Sequence, residues 1–199
     1  MAVTILVLAL ALSDAPMADP TASALDAIPV EINEKLAHYE IKGDSSRELI
    51  SQMAKLGPID QSEGRHFQGN TAWAVRWGFG MVSQPSGGCR LDDIKIDLEV
   101  MMTLPEWTPK RHADQRLVQA WPHFIANLTG HEMGHRANGV RAAFAVRDAI
   151  AGMAPMADCQ QLGAAANAAA NLALNRLKDA DAEYDRETDH GAKQGFQLP

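Results

Sequence analysis

Pro122 to Val146 runs PHFIANLTGHEMGHRANGVRAAFAV. Phe124, Ile125, Leu128, Val140, Phe144 and Val146 place apolar residues on both sides of a polar centre, which predicts one buried or half-buried helix. The centre is His131-Glu132-Met133-Gly134-His135, an H-E-x-x-H spacing. On a helix the two histidines stand at i and i+4, so both imidazoles leave one face about a turn apart. A single Zn²⁺ takes a nitrogen from each at roughly 2.0–2.1 Å. Glu132 is then placed to reach metal-bound water rather than the metal, and zinc lowers the pKa of that water toward ~7. The carboxylate can take the proton. The plain alternative is a pair of surface histidines beside a solvated glutamate. Apolar flanks weigh against it, because ionisable groups in such surroundings need a partner or a metal.

Outward from this segment the helical pattern spans His112 to about Met153, with Leu117 and Trp121 leading in. Pro122 should kink it or begin a new helix at its first turn. Gly152 and Pro155 close it. A last helix is expected from about Cys159 to Tyr184, rich in Ala and Asn, anchored by Leu162, Leu172, Leu174 and Leu177 and closely packed. The first half reads differently. Val30 to Asn33 and His38 to Lys42 are short extended pieces. Ser45 with Glu48 forms a capping box that opens a helix through Leu49, Ile50, Met53 and Leu56, stopped by Gly57-Pro58. Thr71 to Met81 alternates as a strand, and Pro85 to Gly88 is a turn. In Cys89 to Met102, Leu91, Ile94, Ile96, Leu98, Val100 and Met102 share a face, and Leu104-Pro105 ends the sheet region. The class is therefore α+β. An N-terminal antiparallel sheet with one wet face and one helix precedes a helical half carrying H-E-x-x-H and a second long helix.

The chain has 199 residues, 46% hydrophobic and 22% charged, enough for one domain with a proper core. Its net charge is −7, and its longest basic run is Lys110-Arg111, which argues against nucleic acid or an anionic membrane as partner. Val3 to Leu12 is an uncharged run too short to span a bilayer and of the length of a signal h-region, followed by small-residue sites at Ala11-Leu12-Ser13 and Ala22-Ser23-Ala24. It lacks the basic residues that usually precede such a run; the competing reading is a buried strand. Residues 1–27 are thus read as a signal peptide and flexible lead-in, and 28–199 as the single folded domain. Nothing else could cross a membrane, and a periplasmic or secreted location follows. An exported chain with two cysteines, Cys89 and Cys159, suggests one disulfide. It would close a long loop, worth ~4 kcal/mol on the chain-entropy model. Two unrelated buried thiols are the alternative.

A catalytic zinc site needs a third protein ligand. Six residues beyond His135 stands Arg141, which cannot ligate. About twenty residues on stand Pro155 and Met156, with Asp158 the nearby carboxylate. The tail reads better: Tyr184 to Gly191 is YDRETDHG, and His190 is the one histidine downstream of the motif. His190 is the leading third ligand and Asp185 its rival. Asp185 or Asp189 could instead fix a histidine's tautomer. Tyr184 could donate to a developing oxyanion, or simply pack at a helix end. His38, His66, His112 and His123 are assigned to structure or surface.

The chain resembles the bacterial family of predicted secreted zinc-dependent proteases, long catalogued as a domain of unknown function. The resemblance rests on Thr71-Ala72-Trp73 with Trp77, the cysteine before the alternating strand, Leu104-Pro105, Trp121 ahead of H-E-x-G-H, and Tyr184-Asp185, Thr188, His190-Gly191 and Gln194-Gly195. It covers roughly Val30 to Gly195. It implies an exported zinc peptidase of the zincin kind, with Zn²⁺ among His131, His135 and His190, Glu132 as general base, and a protein or peptide substrate. Two further readings stay open: an amidase or endopeptidase acting on cell-wall peptides, and a non-catalytic envelope protein that uses zinc for stability or binding.

Overall fold

In chain order the elements are β1 (Val30–Ile41), α1 (Ser46–Leu56), a small hairpin of β2 (Ile59–Asp60) and β3 (Arg65–His66), β4 (Asn70–Ser83), β5 (Cys89–Trp107), α2 (Gln115–Ala151), α3 (Cys159–Thr188) and a 3₁₀ turn at Ala192–Gln194. The computed structural model describes residues 28–60, 64–109, 112–195 and 197–199. The expected signal segment and lead-in lie outside the described residues. The fold is α+β, as expected: a three-stranded sheet with one helix, then two long helices.

The sheet order is β1-β5-β4. β4 pairs antiparallel with β5, from Asn70 opposite Thr103 to Ser83 opposite Cys89. β1 pairs parallel with β5, from Val30 opposite Ile96 to Ile41 opposite Trp107, so the sheet is mixed rather than wholly antiparallel. That unbroken register also joins the two extended pieces expected around residues 30–42 into one strand. Between Gly78 and Gly80 the register slips: Lys95 and Asp92 are their partners, so β5 carries one residue more than β4, and Asp93 has φ 44°. This bulge flips the side-chain parity of β5. It is why Leu91, an odd position, packs against the same cluster as Ile94 and Ile96.

Pro105 does not end the sheet; β5 continues to Trp107. The β4 ladder has already stopped at Thr103, so Pro105 stands where β5 has β1 alone as neighbour. Proline is tolerated where one side of a strand has no ladder to break.

Ser45 and Glu48 form the expected capping box on α1, which buries Leu49 and Met53 against Ile41 and Trp107. α2 is one helix with Pro122 inside it, neither broken nor restarted there. The lost hydrogen bond costs ~3 kcal/mol. Aromatic packing beside it acts in the other direction: Trp121 meets Trp107 edge to face at 5.3 Å and stacks on Phe124 at 5.1 Å, ring centre to ring centre.

α3 packs on α2 through Ala142, Ala143, Ala166 and Ala170, all fully buried, which explains its small-residue bias. Its apolar stripe runs Leu162, Ala166, Ala170, Leu174 and Leu177; Leu172 lies off this stripe and is exposed, contrary to expectation. Cys89 and Cys159 form a disulfide, flanked by paired backbone hydrogen bonds between Cys89 and Met156. No described helix is long and apolar enough to cross a membrane.

Candidate metal centre

Two apolar clusters line α2. Leu128 belongs to the first and Ala142 to the second, and the polar turn between them buries His131, Glu132, His135 and Asn138. α3 presents Asp181, Tyr184, Asp185 and Thr188 to this turn, spaced as one helix face. The helix runs past Tyr184, where the sequence pattern ended it, and this extra turn carries Asp185 to the histidines.

Three donor atoms converge. The Nε2 atoms of His131 and His135 are 3.3 Å apart, and Asp185 Oδ1 lies 3.2 Å from the first and 3.1 Å from the second. Donors on a tetrahedral shell of 2.0–2.1 Å bonds are separated by about 3.3 Å, so the triangle has the size of a cation's coordination face. The opposite ring nitrogens meet acceptors: His131 Nδ1 is 3.0 Å from Gln194 Oε1, and His135 Nδ1 is 2.8 Å from Asp181 Oδ1. Each Nδ1–H therefore donates outward and each Nε2 faces inward, where its lone pair is the one a cation would take. His131, His135 and Asp185 form a group that can hold a metal ion. Two imidazoles and a carboxylate suit zinc and other first-row divalent cations.

Asp185, the rival in the sequence reading, thus stands in the ligand group, and His190 borders it. His190 Nδ1 lies 3.6 Å from Asp185 Oδ1, and its ring packs 5.0 Å from Phe67. Tyr184 also differs from the oxyanion role considered for it. Its ring stacks on His131 at 5.0 Å and its hydroxyl donates to the His131 carbonyl at 3.2 Å, so it packs behind the histidines. Gln194 Nε2 donates to that same hydroxyl, so one side chain braces both His131 and Tyr184.

Asp181 is a site residue that sequence reasoning missed. Besides His135 it accepts from Trp73 Nε1 at 3.0 Å and Asn138 Nδ2 at 2.6 Å, tying β4 and both helices to one carboxylate. Its signal was the i, i+4 spacing to Asp185. His66, assigned to structure or surface, lines the cleft beside the site. His38, His112 and His123 are exposed, as expected.

The motif's glutamate lies at the bottom of this cleft, which has a volume of about 350 Å³ and is walled by Phe67, Gln68, Gly69, Asp185, Asp189 and His190. Glu132 is 3% exposed and its Oε2 has no hydrogen-bond partner among the described residues. Burial pushes its pKa up, while the nearby Thr71 hydroxyl and the two imidazoles pull the other way. Gly69 leaves room for it: a Cβ there would stand 2.9 Å from Glu132 Oε1. In the metal-free site, burial works against charge on His135, but hydrogen bonds to Asp181 and Asp185 outweigh it and hold its pKa up at about 10. Burial likewise opposes charge on Asp185, and the two histidines nevertheless hold it well below the usual carboxylate range.

The tail motif is a brace. Thr188 Oγ1 donates to the Tyr184 carbonyl at 2.7 Å and accepts from Gly191 N at 3.3 Å. Asp189, His190 and Gly191 then take φ of 53°, 48° and 82°, reversing the chain so that Gln194 returns to His131 and Gly195 to Asn127.

The chain belongs to a bacterial protein family of unknown function (DUF922), whose profile matches residues 36–191. Neither a curated protein nor a solved structure matches it.

Proposed function

We propose that this protein is an exported zinc-dependent peptidase. One observation carries the reading: two imidazole nitrogens and a carboxylate oxygen converge at a cation's spacing, on a cleft that is also lined by a buried glutamate, one oxygen of which has no hydrogen-bond partner among the described residues. His131, His135 and Asp185 would hold the ion. When bound, it would supply a Lewis acid that lowers the pKa of water and draws electrons from a carbonyl oxygen. Glu132 takes a proton from the attacking water and returns it to the departing amine. Its burial suits this task, because a carboxylate held in a poorly solvated place is a stronger base than one in water. Asp181 and Gln194 fix the imidazoles so that both lone pairs face the ion.

Three protein donors beside an open cleft favour hydrolysis over a purely structural ion, which takes four protein ligands in a closed site. The disulfide and the apolar run at residues 3–12 support export.

The test is hydrolysis by the zinc-loaded chain, offered unfolded protein and purified peptidoglycan in parallel. Cleavage of either, lost on chelation and restored by zinc, is expected, with Glu132→Gln binding zinc and cleaving at least about 10²-fold more slowly. Products from peptidoglycan alone would narrow the substrate to cell-wall peptides. A Glu132→Gln variant as fast as wild type would overturn the mechanism, and loss of the fold on chelation without any cleavage would favour structural zinc.

A further inference from the structure

We infer that His190 is a catalytic residue that hydrogen-bonds the oxygen of the scissile carbonyl as negative charge develops there, rather than a ligand of the metal. The inference rests on the peptidase reading above and assigns it one more group.

The ligand group is complete without this histidine. Asp185 Oδ1 already faces both Nε2 atoms at 3.1 and 3.2 Å, and His190 meets that oxygen from another side at 3.6 Å. The imidazole therefore stands beside the coordination triangle, on the cleft that Glu132 also lines. A carbonyl bound in that cleft for attack by water would share it with this ring. An N–H aimed at the carbonyl oxygen strengthens as the charge grows, which is the property a catalytic donor needs.

The backbone points the same way. Asp189 and His190 are non-glycine residues with φ of 53° and 48°, a conformation that L side chains disfavour. The chain holds them there with His190 N donating to the Asp185 carbonyl at 2.8 Å, Ala192 N donating to the Asp189 carbonyl at 2.9 Å, and the Thr188 hydroxyl bridging Tyr184 and Gly191. The turn returns Gln194 to His131, and it also fixes the histidine that it carries. Its result is an imidazole fixed between Asp185 and Phe67 with 30% of the side chain exposed, accessible to a ligand and limited in its rotation.

The chemistry balances without a net change at His190. The water oxygen bonds to the carbonyl carbon and the C–N electron pair leaves with nitrogen. The amine takes the proton Glu132 carried, and the products are a carboxylate and an ammonium. His190 lends a hydrogen bond and takes it back.

The experiment compares His190→Ala and His190→Gln with wild type in zinc affinity, the visible spectrum of the cobalt-loaded protein, and hydrolysis. For His190→Ala the expected result is zinc affinity within about threefold of wild type, unchanged cobalt bands, and kcat lower by about 10²–10³-fold with little change in KM. His190→Gln, which retains an N–H donor, recovers part of that loss. Shifted cobalt bands or zinc binding weakened tenfold or more would make His190 a ligand and overturn the assignment. So would an undiminished kcat. Wild type that hydrolyses no amide sinks the peptidase reading itself, whereas active wild type beside an equally active His190→Ala sinks only the role given to His190.

Discussion

The hydroxyl of Tyr184 occupies the space that a side chain on residue 134 would need: a Cβ on Gly134 would lie 2.3 Å from that oxygen and 2.4 Å from the ring carbon bearing it. The glycine of H-E-M-G-H is thus what lets α3 bring its tyrosine onto the histidines. Gly134→Ala should destabilise the protein by about 1–3 kcal/mol despite alanine's better helix propensity, because the ring must move. Thermal melts of Gly134→Ala, Tyr184→Ala and the double variant test this. The double variant should be more stable than the sum of the singles implies; strict additivity would mean the two positions do not meet.

Asp181 predicts a separable defect. Asp181→Asn keeps shape but removes the charge that accepts from His135, Trp73 and Asn138. Zinc affinity should fall about 10–100-fold, the usual effect of losing a partner behind a ligand. Calorimetric titration measures it. Unchanged affinity would show that His135 is oriented by packing alone.

These two residues also show what sequence can and cannot reveal. H-E-x-x-H, the Ser45–Glu48 box and the long helices were legible because each is a local spacing on one element. The parallel pairing of β1 with β5 was not, since Val30 and Ile96 meet only through the intervening chain. The place of Asp185 beside the two histidines is hard to read from sequence for a physical reason. A lone tail histidine outweighs one aspartate among fifteen when the helix is thought to end at Tyr184. The helix continues to Thr188, so Asp185 stays on the helical face that meets α2 while His190 enters the turn beyond. Asp181 went unread because a carboxylate four residues before another on an exposed-looking helix usually faces solvent.

Glu132 predicts a trade between stability and activity. A buried carboxylate with an oxygen that lacks a partner among the described residues lowers stability, and glutamine removes the charge while keeping the volume. Metal-free Glu132→Gln should melt at a higher temperature than wild type, by roughly 1–3 kcal/mol of stability. A lower melting temperature would mean that the carboxylate has stabilising contacts in the unloaded protein.

The disulfide joins the start of β5 to the start of α3, closing a loop with a sequence separation of 70 residues. Reduction, or Cys89→Ala with Cys159→Ala, should lower stability by about 4 kcal/mol. Denaturant unfolding with and without reductant measures the difference. The centre lies elsewhere on α2 and α3, so zinc binding by the reduced folded chain should be largely retained.

The metal-free site carries its own pH signature. His135 has a folded pKa of about 10, above the ordinary value near 6.5, so its protonated form stabilises the fold fully below pH ~6.5. That contribution fades as pH rises through about 10. Asp185 is shifted the other way, so its contribution is present above the ordinary carboxylate pKa near 3.9 and is lost as pH falls into its depressed folded range. The pair therefore stabilises the metal-free chain most between pH ~4 and ~6.5. On the proposed zinc reading the ion would take the Nε2 lone pair of His135 and displace its proton, so the apparent affinity for zinc should rise about tenfold per pH unit between pH ~7 and ~9. Calorimetry in two buffers of different ionisation enthalpy counts the proton released. Close to one proton at pH ~7.5 is expected, and a value near zero would mean that His135 is already neutral in the metal-free chain.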